Sequence, residues 1–284
     1  MSTHTKASTT SPTPTGFGAT VAGSGSAVTV HTGLGNAISD SLTMIGRSIR
    51  LSRRNLQTLI MSIMLPLMIM AMFVYVFGGA IHTGTAYVNY VVPGIILLCT
   101  GYGAASTAVM VTEDMRGGMV DRLRSLPIRS SAMLTGHVVA SVTRNALSTT
   151  IVVGAAVAMG FRPTGGFVDW VLAVGLLLLY VVALSWLGAG LGVIARTAEA
   201  ATALSFFMLF LPYLSSAFVP TDTMPSFLRA ISDNQPMTPV IETVRGLLTG
   251  TPIGDQGWVA LAWVAGILVV SFSFATWMYK RRTR

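Results

Sequence analysis

Six long apolar runs set the plan of this chain, at about residues 56–77, 91–111, 141–160, 170–194, 200–219 and 258–279. A helix rises about 1.5 Å per residue, so about 20 residues cross a hydrocarbon core of about 30 Å. Lipid offers the backbone no hydrogen bonds, and a spanning run must satisfy its own N–H and C=O groups as a helix. The pattern predicts an all-α integral membrane fold with six transmembrane helices.

Between and before these runs lie shorter amphipathic stretches. Leu42, Ile45 and Ile49 fall on one helical face, with Arg47, Arg50 and Arg54 on another. A basic amphipathic helix of this kind lies in the plane of the membrane interface. The stretch from Glu113 to Pro127 separates the second and third runs. Met119, Val120, Leu123 and Leu126 form an apolar stripe within it, closed by Pro127, and Asp121, Arg122 and Arg124 surround the stripe. This predicts a small surface helix with an apolar docking face. The stretch of about 38 residues that separates Pro220 from Trp258 is too long for a plain connection. Within them Val240, Ile241, Val244, Leu247 and Leu248 keep helical spacing. Glu242 and Arg245, at i and i+3, are expected to pair on the opposite face, and Gly250 to stop the helix. Gly188 and Gly192 are spaced for close helix approach.

The 284 residues carry 10% charge and 52% hydrophobic content, against about 25% charge in soluble domains. A net charge of +8 would point a soluble protein toward nucleic acid. Here the basic residues gather at the ends of apolar runs, which points instead to topology and anionic lipid headgroups. Placing both termini in the cytoplasm leaves only Arg162, Arg229 and Arg245 outside, in keeping with the positive-inside rule for a multi-pass plasma-membrane protein. Arg144 is expected to snorkel from the start of the third span. Residues 1–38, rich in Ser, Thr and Gly, read as a disordered cytoplasmic tail; residues 39–284 form the membrane domain.

The chain has one cysteine (Cys99), four scattered histidines and two lysines. No metal-ligand spacing and no Gly-x-x-x-x-Gly-Lys-Ser/Thr phosphate loop occurs, so the sequence offers neither a metal site nor catalytic or ATP-binding residues. The interior of the spans holds no Asp, Glu, Lys or His, which weakens a proton- or ion-coupled carrier. Two readings stay open on the residues alone: the membrane half of a pump driven by a separate ATPase, or a scaffold or channel-like subunit. Phe73, Tyr102, Phe206, Phe207 and Met208 are candidates for an apolar substrate path, and Asn234, Gln235, Glu242 and Arg245 for an external gate.

From about residue 40 onward the chain resembles the permease subunits of ABC-2-type exporters, in particular the daunorubicin/doxorubicin-resistance-type branch. The resemblance rests on MLPLMIMAMFVYVFGGAI (64–81), YVVPGIILL (90–98), EDMRGGMVDRLRSLPI (113–128), SWLGAGLGVIARTAEAA (185–201), SSAFVPTDTMP (215–225) and NQPMTPVIETVRGLLTG (234–250), in family order and spacing. It departs at Arg116-Gly117-Gly118, where the family usually has a bulkier charged residue before one glycine. The resemblance implies a type V exporter-like fold: an N-terminal interfacial helix, six spans, a cytoplasmic coupling helix between spans two and three, and re-entrant helices before span six. It implies that Glu113, Asp114, Arg116 and the helix from Met119 to Pro127 engage a separate ATPase subunit, present in two copies, which binds the ATP and Mg. A second permease chain, identical or not, would complete a dimer. The implied cargo is an amphiphilic drug, with lipid or polysaccharide export as the alternative.

Overall fold

A computed structural model describes residues 56–81, 83–117 and 130–282. Helices dominate these residues, and no strand occurs among them. They are α1 (Leu56–Ala71), α2 (Tyr87–Arg116), α3 (Ser130–Ala158), α4 (Phe167–Ile194), α5 (Ala198–Phe210), α6 (Ser226–Asp233), α7 (Met237–Thr249) and α8 (Gln256–Arg282). The expected tail, the interfacial helix with Arg47, Arg50 and Arg54, and the surface helix from Met119 through Val120, Asp121, Arg122, Leu123, Arg124 and Leu126 to Pro127 lie outside the described residues.

Among the described residues, four helices are long and apolar enough to cross a membrane: α2, α3 from Met133, α4 and α8. The other two apolar elements are shorter. α1 passes at Met72 into a π-helical stretch that ends at Phe77. Pro66 within α1 has no N–H to give the Ser62 carbonyl, and the Cys99 thiol of α2 donates to that carbonyl at 3.4 Å. α5 ends at Phe210, short of the expected 219. Pro212 follows it, and the chain tightens into a 3-10 turn, Leu211–Leu214, and then into a buried turn at 215–218. The apolar composition of 211–219 reflects burial in protein rather than continued helix.

α2 is the hub. It packs on α1, α3, α4, α5 and α7, and 72% of its most apolar window is buried, against 22% for α8 and 28% for α4. The outer helices turn large side chains such as Trp258, Val270 and Phe167 outward, as lipid-facing helices do. The α2–α4 seam depends on small residues. A Cβ at Gly188 would run into the Ala104 carbonyl oxygen, and one at Gly192 into that of Ala108. Thr112 crosses the same seam, donating to Gly192 O at 2.9 Å.

Two ends of the bundle can be distinguished. The proximal end carries the close of α2, the start of α3, the close of α4 and the basic last turn of α8, Lys280–Arg282. Here Arg282 donates to the carbonyls of Val193, in the last turn of α4, and of Ala195, which caps it, a favourable place for a cation. The distal end carries Phe77, Tyr87, α6 and α7. α7 was expected to be amphipathic; it is buried along its length apart from Glu242 and its last residue, Thr249, and Gly250 ends it in the left-handed region at φ +67°. Backbone N–H groups of Thr164 and Gly165 both donate to Leu248 O and cap its end.

Candidate functional site

At the proximal end, α2 delivers Glu113, Asp114 and Arg116 to the edge of the bundle. Glu113 and Arg116 are exposed, and Asp114 is partly buried. Asp114 Oδ2 meets His137 Nε2 of α3 at 3.0 Å, with the His137 side chain 6% exposed. The pair ties together the two helices that flank residues 118–129. No spacing rule links positions 23 residues apart, so the pair has no signature in the sequence. Across the end, Thr197 caps α5 by accepting from Ala200 N at 3.2 Å. Glu199 in that first turn has its carboxyl held below the usual range. The largest cause is a hydrogen bond from its own backbone N–H, followed by the Thr197 hydroxyl and, more weakly, the Arg116 charge. Arg144, expected to snorkel, is 8% exposed and donates to Thr107 on α2 at 3.2 Å. A charge inside a bundle is tolerated when it faces polar groups of neighbouring helices. Ser141, Asn145 and Ser185 continue this polar seam, with Ser185 and Ser141 at 2.9 Å.

A cavity of about 260 Å³ opens between α1, α2 and α5. Ser62 and Leu65 line it from α1, Tyr102 and Ser106 from α2, Thr202 and Leu209 from α5; no charged side chain borders it. Of the five residues expected to form a substrate path, Tyr102 alone lines this space. Phe206 and Phe207 point outward, 61% and 66% exposed, and Met208 is buried at 2%. Successive helical residues are about 100° apart, so these three cannot share one wall. Phe73 stands beyond the cavity in a file of rings. It tilts against Phe77 (5.4 Å between centroids) and stacks on Phe218 (4.3 Å), and Phe218 stacks on Tyr213 (5.3 Å). Tyr213 in turn faces Tyr102. Phe218 and Tyr213 were not among the expected path residues, because a contact such as Phe73–Phe218, 145 positions apart, leaves no local pattern.

At the distal end, Arg245 and Glu242 do pair. Arg245 nevertheless points inward and is 9% exposed. Its Nε donates to Tyr90 O at 3.1 Å, its Nη2 to Ser216 O at 2.7 Å, and its guanidinium lies 3.7 Å over the Tyr90 ring. Gln235 joins it, with Nε2 donating to Leu214 O at 2.6 Å. Asn234 stands apart, exposed, with its side chain on Ala230 O at the close of α6. Among the described residues no cluster could hold a metal ion.

The profile of the ABC-2 type transporter family matches residues 40–249. The chain belongs to that family. Of the relatives, the daunorubicin resistance ABC transporter permease protein of Streptomyces coeruleorubidus is 32% identical over 251 residues, covering 87% of this chain and 88% of its own length. A Mycobacterium tuberculosis protein named "Probable doxorubicin resistance ABC transporter permease protein" is 24% identical over 241 residues, 82% of this chain and 85% of the relative. The chain is a multi-pass membrane protein of an ABC-2 transport system, and its role is transport.

Proposed function

We propose that this ABC-2 permease exports amphiphilic, drug-like compounds, powered by a separate ATPase subunit. The family and the names of its relatives support transport. The observation that carries the cargo class is the α1–α2–α5 cavity, apolar apart from hydroxyls. Binding sites for amphiphiles are concave and mostly apolar, with a few polar groups to fix orientation. A glycan or a charged headgroup would lack partners there and would pay for lost hydration.

In this reading α1 with its π-helical extension and α5 with its 3-10 turn also cross the membrane, giving six spans. The proximal end, with Arg116, Arg196 and Lys280–Arg282, faces the cytoplasm. Residues Met119, Val120, Leu123 and Leu126 form the plug that enters an apolar groove of the ATPase, with Asp121, Arg122 and Arg124 setting its register. The Asp114–His137 pair holds the base of that segment, so that force on the plug reaches α2 and α3 together. ATP and Mg are held by the ATPase, in two copies, and a second permease chain closes the open side of the cavity. Gln235, Glu242 and Arg245 belong to an external gate, with Asn234 at its rim.

Copurification tests this. Extracted with its membrane partners in mild detergent, the chain should bring down a stoichiometric soluble protein bearing a Gly-x-x-x-x-Gly-Lys-Ser/Thr loop. A chain that carries no ATPase, under conditions that keep known exporters intact, would overturn the proposal.

A further inference from the structure

Irregular backbone at membrane depth persists only where protein or a water-lined space satisfies it. Residues 214–218 form an irregular strap, buried in protein from Ser215 to Phe218. Three of its carbonyls are held by side chains from distant positions. Gln235 takes Leu214 O at 2.6 Å, Arg245 takes Ser216 O at 2.7 Å, and the Tyr87 hydroxyl takes Phe218 O at 2.8 Å. Beneath the strap, Gly94 of α2 lets Ala217 approach so closely that an added Cβ would sit 2.5 Å from the Ala217 Cβ.

The strap carries one large ring. Phe218, 5% exposed, is closed between Phe73 and Tyr213, across the line from the Tyr102 cavity wall to Phe77 at the distal end. Gln235 and Tyr87 fix the two ends of the strap, while Arg245 holds its middle. Arg245 is itself anchored elsewhere, to Tyr90 O, the Tyr90 ring and Glu242. Its bond to Ser216 O is therefore the one that can be given up while the arginine stays in place. The hydroxyl of Ser216 is buried with no hydrogen-bond partner among the described residues. An unsatisfied buried hydroxyl is a standing cost that falls when the strap lifts toward water. The closed strap thus combines a strong charge-assisted bond with a built-in bias toward release.

We infer that Arg245 is the latch of an aromatic shutter: its hold on the Ser216 carbonyl keeps the strap down and Phe218 closed between Phe73 and Tyr213, and outward passage from the cavity requires that hold to break. The inference rests on the exporter reading and names the moving part of its external gate. Arg245 is a positioning residue, acting through Phe218.

The test uses the permease–ATPase complex in proteoliposomes with a fluorescent amphiphile such as doxorubicin. Two quantities are read: passive leak with the ATPase arrested by vanadate, and amphiphile moved per ATP hydrolysed. Arg245→Lys keeps the charge but loses the planar fork that serves several acceptors at once; Phe218→Ala removes the shutter. Each should raise leak several-fold and lower the transport-to-ATP ratio, and the double variant should leak no more than the worse single one. Ser216→Ala removes the bias toward release and should do the reverse, lowering leak and slowing turnover. Wild-type leak and ratio in assembled Arg245→Lys overturn the latch, as does a lower yield of complex with an unchanged ratio per complex. If Arg245→Lys does not assemble, wild-type behaviour of both Phe218→Ala and Ser216→Ala overturns it instead. A wild-type complex that moves no amphiphile on ATP refutes the exporter reading, a result distinct from any of these.

Discussion

Adding single methyl groups to glycines of the bundle should give effects of opposite sign, depending on where the glycine lies. At Gly188 and Gly192 a new Cβ would overlap the Ala104 and Ala108 carbonyl oxygens, backbone atoms that cannot rotate away. α2 and α4 would have to separate along the seam, and overpacking of this kind costs about 1–3 kcal/mol per site. Alanine's better helix propensity returns at most about 1 kcal/mol, so each change should destabilise on balance. Gly154, Gly175 and Gly266 also lie in helices, but nothing stands within 4 Å of an added Cβ. Alanine there should be neutral or stabilising, by up to about 1 kcal/mol. The five variants can be ranked by the midpoint of thermal loss of the monodisperse peak in size-exclusion chromatography, all in one detergent. Heating membrane proteins is commonly irreversible, and the ranking rather than an equilibrium constant is the readout. Gly188→Ala and Gly192→Ala should fall below wild type, and the other three should not. Midpoints for Gly188→Ala and Gly192→Ala equal to those of the open-space variants would refute the close α2–α4 approach.

Other predictions follow from single sites. Leu123→Asp puts a charge in the expected docking face and should abolish copurification of the ATPase while membrane insertion survives; normal copurification would contradict the coupling assignment. Leu65→Trp would fill part of the 260 Å³ cavity and should raise the KM for bulky amphiphiles several-fold with little effect on complex assembly. An unchanged KM would remove the cavity from the path. Because the folded-state pKa of Glu199 is depressed, its contribution is present above the ordinary carboxylate value and lost as pH falls through the folded one. The gap in thermal midpoint between wild type and Glu199→Gln should therefore be present at pH 7 and narrow toward pH 4. A gap independent of pH would show that the Glu199 carboxylate charge does not stabilise the start of α5.

Much of the architecture was legible because lipid imposes one rule on every residue of a spanning run. The long apolar stretches near 91–111, 170–194 and 258–279 could only be helices, and α2, α4 and α8 occupy them with extra turns at one or both ends. Local spacing also carried the Glu242–Arg245 pair and the Gly250 stop. The fifth run misled at its far end, because burial in protein and burial in lipid select the same apolar residues at 211–219. Only partners more than 20 positions away, Tyr87, Gln235 and Arg245, distinguish the two. The inward turn of Arg245 was hidden for the same reason: periodicity assigns a charged residue to the wet face unless its acceptors are known. By contrast, the scatter of Phe206, Phe207 and Met208 around α5 was already implied by their adjacency.

The proposed activity is ATP-driven movement of an amphiphile through this chain. Its most direct test is uptake of doxorubicin into inside-out vesicles from cells that express the chain together with its ATPase, read by fluorescence quenching. Uptake should require hydrolysable ATP, stop with vanadate, and be absent when the ATPase carries an inactive phosphate loop. Uptake that proceeds equally without ATP, or ATP hydrolysis that neither moves nor responds to any amphiphile, would contradict it.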